Sequence, residues 1–286
     1  MGRKLDVLLR ILKDLQIEAH YRLTARKHRI DPDSMPDVVV SMKSYPARIR
    51  HAWLAIESLF RQNRSGYIVV LVLVQSQFPG GRLPRSITRL VKRGLTILWI
   101  QEDGKSFDHL WPAYSAYPKA SIISVDDDKF FPPNLVSTLC NHSESAPGTI
   151  IGARGWEMIT QDGRVKFGAG WVRAGSQSPS LKLFMPPGNG SLYPPGSLPK
   201  DTGDHDLRRT ICPNADDVWY WAMARIAGVQ SMCLGLPAHR PIWKQSKTPA
   251  LADLDPGPKE FEAVVRHFSL RAALELDCKT DTTLSG

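Results

Sequence analysis

Eight apolar residues in a row, Tyr67 to Val74 (Tyr-Ile-Val-Val-Leu-Val-Leu-Val), constrain this chain more than any other segment. The run is far short of the roughly 20 residues needed to span a bilayer. Its unalternating, β-branched character is that of a strand covered on both faces. Further strands are expected at Val38–Met42, Leu95–Ile100 and Ser121–Val125. Helical segments separate them. Ala52–Phe60 turns Trp53, Ile56, Leu59 and Phe60 inward, Ile87–Val91 follows the second strand, and Leu110–Tyr114 leads to the fourth. Strand and helix in alternation predict an α/β fold, a mostly parallel sheet with helices on both faces.

The fourth of these strands runs directly into Asp126-Asp127-Asp128, followed by Lys-Phe-Phe-Pro-Pro and an expected helix over Asn134–Leu139. In open α/β sheets ligands gather outside the carboxyl ends of strands. Adjacent carboxylates repel, and a divalent cation with oxygen ligands compensates them. The competing reading is an Asp-rich turn that caps a helix and accepts local backbone bonds. The triplet alone does not decide between them.

Beyond the fourth strand the pattern changes. Gly168 to Gly203 is rich in Gly, Pro and Ser, and its flanking Trp171, Leu183, Phe184 and Leu192 predict an ordered substrate loop. Asp217–Ala227 reads as a helix ended by Gly228, Gln230–Leu234 as a strand, and Glu260–Leu276 as a helix behind the Pro-rich stretch Pro249–Pro258. Three parts are expected: a basic amphipathic helix and linker over 1–36, a main domain over 37–240, and a Pro-rich linker with a helix over 241–286.

Charge is unevenly spread. The formal net charge is +9, and residues 1–30 hold eight Lys and Arg against three Asp and Glu. Leu5, Leu8, Leu9, Leu12 and Leu15 recur there at helical spacing. Such a helix either packs on its own domain, the reading the frequency of these stripes favours, or lies on an anionic membrane surface through residues 1–28. Nucleic acid is not an expected partner, since zinc-finger spacing and aromatic RNA-binding signatures are missing from the sequence. Cys140, Cys212, Cys233 and Cys278 lie far apart, which argues against a zinc knuckle or disulfide framework and for a reducing cytoplasm, with a peripheral place on the inner face of the membrane as the variant. Charges at Arg10, Lys13 and Asp14 break the amino-terminal apolar run, so no signal peptide is expected.

Four segments taken together resemble the GT-A-fold glycosyltransferases, in particular the family 2-like enzymes that use nucleotide sugars to build bacterial surface polysaccharides. These are Ser44-Tyr45-Pro46-Ala47-Arg48-Ile49 after the first strand, Asp126-Asp127-Asp128 as an Asp-x-Asp motif, Gly190-Ser191-Leu192-Tyr193-Pro194-Pro195-Gly196, and Asn214-Ala215-Asp216-Asp217-Val218-Trp219. The resemblance spans roughly residues 37 to 240. It implies a GT-A type sheet and transfer of a sugar from a nucleotide diphosphate, UDP-linked, to a glycan or lipid-linked acceptor, with inversion. It places Asp126 and Asp128 on Mn2+ or Mg2+, with His239 as a further ligand. Asp126 and Asp127, Tyr45, Arg48 and Lys105 would meet the nucleotide and its diphosphate, with His109 as an alternative to Lys105. Asp217 becomes the general base with Asp216 beside it, and Gly190, Tyr193 and Trp219 become acceptor contacts.

Physical chemistry supports the assignment of roles. A departing diphosphate gathers negative charge that a carboxylate-held cation neutralises, and an attacking hydroxyl must lose its proton to a base. Asn214 and Asp217 also have the spacing of a helix cap. Gln75-Ser76-Gln77, after the second strand, departs from the family, where an Asp reads the base. Two rival functions stay open: a nucleotidyltransferase or phosphohydrolase built on the Asp cluster, and a non-catalytic sugar-nucleotide-binding protein. Phe130 and Ser41 stand where a phosphatase of the Asp-x-Asp class wants a small residue and a nucleophilic Asp.

Overall fold

The apolar runs assemble as one sheet. In a computed structural model, which describes residues 2–24, 36–161, 164–165, 167–168, 170–175, 178–237, 240–242 and 257–270, the central strands are Val38–Lys43 (β1), Tyr67–Val74 (β2), Leu95–Ile100 (β3), Ser121–Val125 (β4), Ile150–Gly152 (β5), Asn189–Tyr193 (β6) and Ser231–Cys233 (β7). Their order is β7-β5-β6-β4-β1-β2-β3. β1 runs parallel to both β2 and β4, β2 parallel to β3, and β5 parallel to β7. β6 is antiparallel to both its neighbours, β4 and β5. The mixed α/β architecture with a mostly parallel sheet is therefore as the sequence indicates.

Eight helices accompany it among the described residues: Gly2–Leu23 (α1), Ile49–Leu59 (α2), Arg85–Val91 (α3), Trp111–Ala116 (α4), Leu135–Ser145 (α5), His205–Ile211 (α6), Asp216–Ile226 (α7) and Gly257–His267 (α8). Alternation along β2 sorts them into two layers. Tyr67, Val69, Leu71 and Leu73 share a core with α2, α3 and α5, while Ile68, Val70 and Val72 share another with α4, α7 and α8. Every residue of β2 is buried, which is why its sequence does not alternate. Truncating a fully buried residue such as Leu71 to Ala costs about 2–5 kcal/mol.

Three expectations need correcting. The segment read as a substrate loop contains β6, an interior strand whose Leu192 and Tyr193 enter the core, and Leu183–Phe184, which pairs with Trp156–Glu157. Gly and Pro punctuation concealed the pairing. At the amino terminus, α1 does pack on the domain, but through Asp14, Ile17 and Tyr21; Leu8, Leu9, Leu12 and Leu15 face outward at 46–54% exposure. Arg61 closes this contact by lying over the Tyr21 ring at 4.1 Å. The last helix begins at Gly257, three residues earlier than expected, and ends at His267. Cys140, Cys212 and Cys233 are free and buried; Cys278 lies outside the described residues.

Candidate active site

β4 ends at Val125, so Asp126, Asp127 and Asp128 emerge at its carboxyl end, beside the end of β1. Asp127 is buried at 4% exposure, where it accepts from Ser44 Oγ at 2.6 Å and from Arg48 Nη2 at 2.9 Å. Burial pushes its carboxyl up to about 7, opposed by the charge of Arg48 and the Ser44 hydroxyl. The expectation that Asp127 meets the nucleotide is thus corrected, because its oxygens are turned inward onto protein donors. Asp128 pairs with the same guanidinium through Oδ2, while its buried Oδ1 has no hydrogen-bond partner. Asp126 lies against Gly188, where a Cβ would come within 2.0 Å of Asp126 Oδ1. Its Oδ2 accepts from Lys129 Nζ at 2.5 Å, and the same ammonium reaches Asn189 Oδ1 at 2.7 Å.

Asp216 and Asp217 open α7 and are only partly exposed. Burial raises both carboxyls, and each also lies within the field of Asp126. For Asp217, well above the usual carboxylate range, the next causes are the charges of Asp216 and then Asp126, with Lys129 opposing them. The two acidic groups, 90 residues apart in sequence, therefore share one electrostatic site. Asp216 Oδ2 stands 3.3 Å from His109 Nε2, a neighbour that opposes the rise that burial gives the Asp216 carboxyl.

The helix cap anticipated from Asn214 and Asp217 does not form. The N-cap of α7 is Ala215, without a side-chain bond. Glu260 of α8 supplies the acceptors instead, taking Asn214 N at 3.0 Å, Ala215 N at 2.7 Å and Asn214 Nδ2 at 3.1 Å. Asp216 also accepts from its own backbone N–H, whereas hydrogen bonding has no part in the shift of Asp217. Lys105, in the left-handed region at φ 57°, donates to Asn214 Oδ1 at 2.9 Å, and this ties the 3-10 turn Lys105–His109 to the start of α7. Behind that turn, Lys43 at the end of β1 bridges Asp103 at 2.5 Å and Asp108 at 2.7 Å. Gln77 Nε2 also donates to Asp103 at 2.8 Å, so the turn after β2 has a carboxylate beside it from the loop after β3.

Among the other residues singled out, Tyr45 is partly buried and its carbonyl accepts from Arg48 N at 2.9 Å, which keeps the two together beside the triplet. Gly190 is a buried residue of β6 at φ +90°, where the register with β4 shifts. Tyr193 at 2% and Trp219 at 0% exposure are core residues, with Trp219 Nε1 donating to Thr202 O at 3.0 Å. They do not face an acceptor; the apolar interior claims both rings. His239 lies outside the described residues. Lys129, Lys43 and Glu260 were not picked out from the sequence. Only Lys129 carried a signal, its place directly after the acidic triplet.

Oxygen donors of this kind fit a divalent cation. Among the described residues no three His, Cys, Asp or Glu converge on one point, but hard cations of the Mg2+ type commonly take one or two carboxylates and complete their shell from substrate phosphates. Asp126 with its glycine cradle and the unpartnered Asp128 Oδ1 are suited to that partial shell. A cavity of about 590 Å3 lies elsewhere, between β3, α4 and α6.

No family profile matches the sequence, and no curated protein does. Among solved structures, the chain is similar to S. aureus TarS at 15% identity and a TM-score of 0.51, over 82% of this chain and 39% of that one, so it spans about two-fifths of that protein. A 1–349 form of TarS scores 0.49 at 13% identity, covering 82% of this chain and 73% of that chain. The mannosyltransferase PcManGT from Pyrobaculum calidifontis, in complex with GDP-Man and Mn2+, scores 0.44 at 13%, covering 97% and 83%. Identities this low speak to the fold alone. In its mixed α/β architecture around a mostly parallel seven-stranded sheet, the chain has a GT-A-type fold.

Proposed function

We propose that this protein is a glycosyltransferase that moves a sugar from a nucleotide diphosphate donor to a glycan or lipid-linked acceptor of a surface polysaccharide, with inversion. The observation that carries the proposal is the shared field of Asp126, at the carboxyl end of β4, and Asp217, at the start of α7. Donor phosphates and acceptor hydroxyl need those two sites within one cleft. TarS has been crystallised with UDP and UDP-GlcNAc, which makes UDP-linked sugars the donors to try first.

In this reading Asp126 and Asp128 hold Mn2+ or Mg2+, which when bound neutralises the charge that gathers on the departing diphosphate. Arg48 fixes Asp127 and Asp128 at the mouth of the strand, and Tyr45 stacks on the base. Lys129 exchanges Asp126 for a phosphate oxygen. Asp217 takes the acceptor proton, and burial, which raises its carboxyl pKa, makes it a stronger base than an exposed aspartate. The outward leucines of α1 rest on an anionic membrane, bringing the cleft to membrane-bound acceptors. No described helix is long and apolar enough to cross a membrane.

Product analysis tests the reaction. With the right donor and acceptor, the wild type releases nucleoside diphosphate and leaves the sugar on the acceptor, while Asp217→Asn binds donor and turns over at least about 100-fold more slowly. Release of pyrophosphate or inorganic phosphate, or full turnover by Asp217→Asn, contradicts it.

A further inference from the structure

The 590 Å3 cavity has no part in the scheme above, yet it is within the roughly 300–1,000 Å3 range of small-molecule sites. β3 is the edge strand of the sheet, and its Leu98 and Ile100 are only half-covered, so they form an apolar floor. Trp111 makes one wall. Its indole is held rigid, stacked on Tyr114 at 5.9 Å and 21° and pressed so closely on Gly203 that a Cβ there would meet Nε1 at 2.4 Å. A pre-set aromatic plane binds without losing side-chain freedom.

The rim is polar and carries more carboxylates than cations, with Glu102, Asp108, Asp204 and Asp206 against Arg209. Arg209 Nη2 pairs with Glu102 at 2.9 Å, Asp108 is matched by Lys43, and Asp204 caps α6 by accepting from Leu207 N. Asp206 stays 97% exposed, and its 3.6 Å pairing with Arg209 is shared with Glu102. In a chain of net charge +9 this cavity thus offers no excess of cations to a phosphate. His205 Nδ1 is buried without a hydrogen-bond partner, 3.7 Å from Glu102, and such atoms call for an explanation.

A rigid indole, an apolar floor and an acidic rim that repels anions and accepts hydroxyl protons suit a ligand with apolar C–H faces and many uncharged hydroxyls. We infer that this cavity is a carbohydrate-binding site, separate from the transfer centre, that holds outlying neutral sugars of the acceptor. The inference rests on the glycosyl-transfer reading for its acceptor and on the cavity itself for its chemistry. The position is apt: Asp108 lines the cavity, and the next residue, His109, faces Asp216 on the transfer side. Sugars held here would let the enzyme favour longer acceptors over single residues.

Ala116 lines the cavity from an exposed position, so Ala116→Trp fills it without disturbing the core. The test titrates neutral trisaccharides (maltotriose, cellotriose, chitotriose, mannotriose) and their phosphorylated forms into both proteins, following NMR line broadening. UDP and GDP with Mn2+ are titrated in parallel. The inference expects a neutral trisaccharide to bind the wild type and to bind Ala116→Trp at least tenfold more weakly, with nucleotide binding unchanged. Binding equal in both proteins, binding of the phosphorylated forms alone, or no trisaccharide bound beside intact nucleotide binding overturns the site and leaves the transferase reading standing. If neither class of ligand binds, both readings fall.

Discussion

Lys129 Nζ lies 2.5 Å from Asp126 Oδ2, and the same ammonium opposes the rise in the Asp217 carboxyl. One lysine thereby balances the acid expected to hold a metal and the acid expected to take a proton. It is positioned by the two-residue strand Lys129–Phe130, which pairs with Arg240–Pro241.

A cation entering at Asp126 must displace that ammonium. Lys129→Met removes the competitor, so Mn2+ alone should bind roughly tenfold more tightly, equivalent to about 1.4 kcal/mol. The gain in metal affinity brought by UDP should shrink, because the displaced lysine no longer meets a phosphate. Electron paramagnetic resonance titration of free Mn2+ measures both, and unchanged Mn2+ affinity in the variant contradicts the competition.

Asp217→Asn should lower kcat by about 10²- to 10⁴-fold, the range for loss of a general base, with donor binding retained. Its effect on stability has the opposite sign. Folding raises the Asp217 pKa, so the folded chain holds the proton to higher pH than the unfolded one, and the associated stability is lost as pH rises through the folded value. At neutral pH, Asp217→Asn should therefore melt at a higher temperature than the wild type. Activity of the wild type should fall on acidification at a pH above the usual aspartate value of about 3.9. A lower melting temperature at neutral pH contradicts the burial argument.

Trp219, read from sequence as an acceptor contact, is wholly buried. Trp219→Ala should reduce the unfolding free energy by about 3–5 kcal/mol, measured by urea denaturation. A loss below about 1 kcal/mol, combined with a raised acceptor KM, would return the residue to the acceptor site.

Leu9 and Leu12 are exposed at 54% and 46% on the outward side of α1. Moving a leucine from water into an acyl boundary is worth about 1.5–3 kcal/mol. Leu9→Ser with Leu12→Ser should cut cosedimentation with phosphatidylserine vesicles at low salt by roughly tenfold or more, without changing the packing of Ile17 and Tyr21. Equal sedimentation of both proteins rules out docking through this side.

Much of the fold could be read directly because the first four strands are short apolar runs with no competing helical period. β2 needed no tertiary information at all. β6 was missed because Gly190 and the flanking Pro-Gly pairs resemble loop punctuation, and its partners β4 and β5 are remote in sequence. The acidic groups were legible as motifs, but their compensation was not. A lysine beside three aspartates looks like a solvated charge until Asn189 is brought to it. Asn214 looked like a cap until Glu260, 46 residues later, took its N–H. The leucine stripe showed that α1 is two-sided, yet spacing does not say which side packs; Tyr21 under Arg61 decides it.

Calorimetric titration of UDP and GDP into the wild type and Asp128→Asn, each with and without Mn2+, tests the central claim most directly. The account predicts that one nucleotide binds the wild type far more tightly with Mn2+ and that Asp128→Asn abolishes this metal-dependent gain. Equal nucleotide affinity with and without Mn2+, or a gain that survives in Asp128→Asn, would contradict a cation held between the diphosphate and the end of β4.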